Sequence, residues 1–190
     1  GGIALACVST CTAHAVLVGD HISAAHHVPS LGTVGSGGGP KNIEVESGPG
    51  DQTLMYFDLY SVDMESDSVR VTFRATNTWD SGVENGFNGL VLTSLDGLEG
   101  LSRVTGFRNI GTTLSGGWDD SRASFSEHSV AFNWDNLGMS PGAYFEARMD
   151  FQPVPEPSAY TAVFGLVALG LAVLRKTFKT RKEDSKGAIS

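Results

Sequence analysis

Residues 158–174 are seventeen consecutive positions without a charged side chain, and this run limits the chain more than any other feature. A bilayer core offers backbone groups no water, so a lone segment that crosses it must be helical. Seventeen residues is at the short end of what spans about 30 Å of hydrocarbon. Val163, Phe164, Leu166, Val167, Leu169, Leu171, Val173 and Leu174 favour insertion, together by roughly 2–5 kcal/mol. Thr161, Gly165 and Gly170 dilute that gain. Arg175 and Lys176 follow at once and can snorkel to the interface. Lys179, Arg181 and Lys182 complete a basic stop cluster. Such a cluster stays on the cytoplasmic side and places the preceding chain outside. Pro155 and Pro157, with Glu156 between them, cannot enter the helix interior and keep the approach extended. A core helix of a soluble domain would show a polar face, and this run has none.

The order of these parts resembles the PEP-CTERM protein-sorting signal: Pro155, Glu156 and Pro157, then an apolar helix over 158–174, then Arg175, Lys176, Lys179, Arg181 and Lys182. The resemblance covers about residues 153–182. It implies recognition by an exosortase-type membrane processing enzyme in bacteria that make exopolysaccharide. It also implies export, anchoring in the inner membrane with the ectodomain outside, and then a place at the cell surface or in the extracellular matrix. This chain departs from the family in one respect: a polar tail, residues 183–190, continues past the basic cluster.

The other end agrees with export. Residues 1–15 are small and apolar and close on Ala13-His14-Ala15. That pattern fits the end of a signal peptide with cleavage after Ala15, Ala13 and Ala15 being the small residues of the site. A lipoprotein reading at Cys7 or Cys11 lacks the flanking residues it needs. Both cysteines lie in this segment, so the expected mature protein has no thiol, disulfide or cysteine-held metal. Residues 16–157 carry 7 Lys/Arg against 19 Asp/Glu, a net charge of −12, whereas 158–190 carry a net of +4. An acidic ectodomain argues against nucleic acid and against an anionic lipid surface as partners. Solubility alone accounts for such a surface.

Residues 16–152 read as one all-β domain, an antiparallel β-sandwich. Val69, Val71, Phe73 and Ala75 alternate with Arg70, Thr72 and Arg74. Ala143, Phe145, Ala147, Met149 and Phe151 alternate with Tyr144, Glu146, Arg148 and Asp150. Val130, Phe132 and Trp134 share a face, and 53–60, 87–93 and 101–107 are further strand candidates. Period two with one wet face is what a sandwich requires. Asn85-Gly86, Asp96-Gly97, Gly116-Gly117 and Pro141-Gly142 supply turns. Residues 31–41 read as a flexible glycine-rich loop, without the Lys-Ser/Thr ending of a phosphate loop. The stretches 18–34, 87–89, 118–125 and 130–134 resemble a β-rich extracellular domain often found ahead of PEP-CTERM tails. That resemblance implies an all-β fold and carries no activity with it.

Candidate chemistry in the ectodomain is sparse. Trp79 and Trp118 sit in turn-rich segments, where exposed rings would stack sugars as in a carbohydrate-binding module. The competing reading caps the sandwich with them. Trp134 alternates with core residues. Asp119, Asp120 and Asp135, with Asn133 and Asn136, are oxygen ligands of the kind calcium takes, but no D-x-D-x-D-G spacing organises them. His26 and His27 are adjacent, so a strand would point them to opposite sides, with His21 nearby. Ser126-Glu127-His128-Ser129 brings Ser near His without a G-x-S-x-G elbow. We therefore expect no metal, no cofactor and no catalysis. A polysaccharide hydrolase is the weakest of the alternatives, because an acidic chain offers too many carboxylate pairs to choose one.

Overall fold

The computed structural model describes residues 17–48, 52–97, 102–114 and 117–154, together with Leu171. The chain divides into two units, 1–154 and 155–190. Among the described residues of the first unit there are twelve strands: β1 (His21–His27), β2 (Lys41–Glu44), β3 (Thr53–Met55), β4 (Tyr60–Met64), β5 (Ser68–Phe73), β6 (Asn77–Trp79), β7 (Gly89–Thr93), β8 (Ser102–Thr112), β9 (Ala123–Ser126), β10 (Ser129–Asn133), β11 (Leu137–Met139) and β12 (Tyr144–Pro153). One 3-10 turn, Asp120–Arg122, precedes β9.

All pairings among these strands are antiparallel. The first sheet has the order β2-β1-β7-β10-β9, the second β3-β4-β5-β12-β8, and β11-β6 forms a two-stranded ribbon. Alternation decides which faces meet. Ile22, Ala24, Leu90, Leu92, Val130 and Phe132 of the first sheet share one buried cluster with Val62, Val69, Val71, Phe145, Ala147 and Met149 of the second. Across the gap, the Phe132 and Phe145 rings lie 5.1 Å apart. The architecture is therefore all-β and antiparallel, as expected, with apolar side chains of the two larger sheets packed against each other and charge on the outer face of the second.

Two segments differ from the sequence reading. Residues 53–60 do not form one strand. Tyr56, Phe57 and Asp58 adopt φ of 43°, 56° and 61°, so β3 turns back into β4 through three left-handed residues. A left-handed residue other than glycine costs roughly 1–2 kcal/mol. Packing offsets this, since Tyr56 stacks on His26 at 3.8 Å and Phe57 lies on Gly37, where any Cβ would run into its ring.

The second difference is the glycine-rich loop, which is tied rather than free. His26 N–H donates to Gly38 O at 2.9 Å, and Gly35 N–H donates to His26 O at 2.9 Å. A side chain at Gly38 would strike the His26 carbonyl. The glycines thus serve a close backbone approach that continues the ladder beyond β2.

Among the described residues no helix is long and apolar enough to cross a membrane. The expected span, 158–174, lies outside the described residues except for Leu171, which is helical.

Candidate functional site

β12 carries the chain to the tail. It runs between β5 and β8 and stays paired to its last residue, where Pro153 faces Ser102. Val154 follows, 40% exposed. Pro155, Glu156 and Pro157 and the basic residues Arg175, Lys176, Lys179, Arg181 and Lys182 lie outside the described residues. So do Ala13 and Ala15.

The candidates within the first unit scatter. Trp79 is 1% exposed, which overturns its reading as an open stacking platform. The reason is a non-local pairing: β6 joins β11, Trp79 faces Leu137, and alternation turns the indole inward. There it meets Trp134 at 5.6 Å and Tyr60 at 5.9 Å. Trp118 is half-buried and stacks on Phe145 at 4.2 Å and 29°, so one face of its ring is engaged with the core. Trp134 is fully buried, as its alternation with core residues indicates. An exposed aromatic that sequence reasoning missed is Phe57, 67% exposed on the left-handed turn. No local sequence signal marks a turn whose three residues are all non-glycine.

His26 is fully buried and holds the aromatic cluster together. Its Nε2 lies 2.9 Å from Asn88 Oδ1 and its Nδ1 3.1 Å from the Tyr60 hydroxyl. A neutral ring that donates to Asn88 and accepts from Tyr60 satisfies both contacts. Burial pushes its pKa down to about 4; the Asn88 hydrogen bond opposes this, and His27 adds to it. Burial also raises the Tyr60 hydroxyl well above its ordinary value. His27 points the other way and contacts the Leu31 carbonyl, while His21 meets Asn42 at 3.4 Å.

The acidic residues are likewise committed separately. Asp119 caps the 3-10 turn, accepting from Ser121 N–H at 2.8 Å. The Ser121 hydroxyl, and then its backbone N–H, hold the Asp119 carboxyl below its usual range. Asp120 accepts from Asn109 N–H at 3.3 Å. Asp135 is buried and accepts from Ser81 N–H and from Asn136 at 2.9 Å. Asn133 accepts from the N–H of Asn88 at 3.1 Å and of Asp135 at 3.0 Å. Arg122 donates to Asp135 O at 2.8 Å, so a guanidinium already supplies the cation beside this loop. Among the described residues no three His, Cys, Asp or Glu side chains converge as metal ligands.

At the β9–β10 turn, His128 contacts the Asp96 carboxylate through Nδ1. Its Nε2 faces Glu127 at 4.0 Å. The Ser126 and Ser129 hydroxyls bond each other at 2.7 Å, so neither is aligned on the imidazole as a nucleophile.

Comparison with known proteins bears on the tail. Residues 153–176 match the PEP-CTERM protein-sorting motif. The match takes in Pro155, Glu156 and Pro157, the whole uncharged run, and Arg175 and Lys176. It begins at the residue where β12 ends. Such a motif implies export and processing by exosortase, a membrane enzyme. No curated protein and no solved structure matches the chain.

Proposed function

We propose that this is an exported, non-catalytic protein of the cell surface or extracellular matrix, with a β-sandwich ectodomain outside the cytoplasm. Its tail acts first as a membrane anchor and then as a substrate for exosortase. The observation that carries the reading is the sorting motif over 153–176, which begins at the last residue of the last strand, at the end of a folded unit that closes at residue 154. In this reading 158–174 spans the inner membrane, the basic cluster stays in the cytoplasm, and residues 1–15 are the end of a signal peptide cut after Ala15. A partnership with exopolysaccharide, and hence with biofilm, is the most specific part of the proposal. It rests on the resemblance of the tail and fits an acidic, soluble ectodomain. The separate engagement of Ser126, His128, Asp119 and Asp135 supports a non-catalytic role.

Fractionation of the host tests this reading. With exosortase present, the protein should leave the inner-membrane fraction for the surface or medium. Deleting exosortase, or replacing Pro155 and Pro157 by Ala, should hold it in the inner membrane with its ectodomain open to external protease. An unchanged distribution in both strains would remove the proposal.

A further inference from the structure

The second sheet holds a cavity of about 200 Å³, lined by Asp67, Arg108, Arg148, Met149, Asp150 and Phe151. Strand register sets its charges. Arg148 on β12 stands directly opposite Arg108 on β8, and like charges facing each other across a ladder repel. Asp67 relieves only one of them, receiving Arg148 Nε at 2.9 Å and Nη2 at 3.4 Å. Among the described residues the Arg108 side chain has no hydrogen bond or ion pair.

Asp150 is the next outward residue of β12 and faces Gly106. Its backbone carbonyl accepts from Thr105, but its carboxylate has no partner among the described residues. Arg108 and Asp150 are thus diagonal neighbours on one face, about 7–8 Å apart at the backbone. Their side chains are long enough to meet, and they do not pair. The cavity is therefore lined by a guanidinium and a carboxylate that, among the described residues, have no side-chain partner.

The other cations of the described ectodomain set this in relief. Arg70, Arg103 and Arg148 pair with carboxylates, and Lys41 and Arg122 donate to backbone carbonyls. Only Arg74 shares the freedom of Arg108 among the described residues, and it does not line the cavity.

We infer that this cavity binds a small carboxylate that also carries hydrogen-bond donors. Its carboxylate takes the planar fork of Arg108, a pairing that guanidinium favours. A hydroxyl or ammonium group on a neighbouring carbon donates to Asp150. A sugar acid and an α-amino acid share this chemistry. The volume suits one such unit and falls short of the roughly 300–1,000 Å³ typical of larger ligands. This inference concerns the ectodomain alone and stands or falls independently of the tail's processing.

Calorimetric titration of the full chain in detergent tests it, with glucuronate and glycine titrated separately and glucose and acetate as controls. Saturable binding of glucuronate, glycine or both is expected, with acetate at least tenfold weaker and glucose silent. Arg108→Gln and Asp150→Asn should each weaken binding at least tenfold, and Arg74→Gln should leave it unchanged. Binding of glucuronate alone assigns a sugar acid, and of glycine alone an amino acid. No binding of either by the unaltered protein overturns the inference whether or not the variants fold. So does acetate binding as tightly, or affinity that survives Arg108→Gln.

Discussion

His26 is where one residue has most leverage. It joins a strained turn, a glycine loop and the aromatic core through Tyr56, Gly35, Gly38, Tyr60 and Asn88. Its pKa falls from 6.5 to about 4 on folding, so the unfolded chain binds the extra proton between those values. Stability from neutral His26 is fully present above pH about 6.5 and is lost as pH falls toward 4. The whole effect is on the order of 3 kcal/mol. Asp20 acts with the opposite sign: burial, then Asp96, raise its carboxyl, so its contribution fades as pH rises. Urea unfolding at several pH values should show a rise between pH 4 and 6.5, and His26→Gln should flatten it. An identical slope in the variant would refute the assignment. Trp79 gives a second prediction. Trp79→Ala should cost about 3–5 kcal/mol. Trp79→Phe should cost clearly less, because Trp79 Nε1 is buried with no hydrogen-bond partner among the described residues and its removal relieves a penalty of about 1–3 kcal/mol. Equal losses would mean that the indole N–H matters.

Among the elements, position within a sheet sets how long each resists opening. β12 and β5 are flanked on both sides, while β2 and β3 are short edge strands of four and three residues. Hydrogen exchange should release β2 and β3 first and β5, β7, β10 and β12 last; equal protection for β3 and β12 would contradict this topology. β5 and β12 are also the elements most legible in sequence, since Val69, Val71 and Phe73, and Phe145, Ala147 and Met149, repeat at period two and are all buried. β1 was harder to read because Ala24, Ala25, His26 and His27 lack β-branched bulk. The misplacement of Trp79 has a physical cause: three-residue strands carry almost no periodicity, and β6 is fixed by β11 nearly sixty residues on. The Arg108–Arg148 pairing was beyond reach for a related reason. It depends on register shifts in the β8–β12 ladder, at Glu146/Ala147 and Asp150/Phe151, that no single strand announces.

On the scale of the whole molecule, charge and hydropathy divide the chain where the fold does. The −12 of residues 16–157 gives way to +4 beyond, close to the boundary between the two units at residue 154. The sorting motif was legible because its parts are contiguous: three residues, a run and a cluster need no tertiary contact to be recognised. Pro155, Glu156 and Pro157 likewise form one contiguous signal for a processing enzyme. On the proposed topology, replacing Arg175 and Lys176 by Glu should weaken membrane retention by weakening the basic stop cluster, which protease protection of the C-terminus would reveal. The most direct test is the intact mass of the mature protein recovered from the host surface and medium. A C-terminus between Pro155 and Ser158, with or without an added group, is the predicted result. A mass that still includes Arg175 to Lys182 would contradict it and make the tail a permanent anchor.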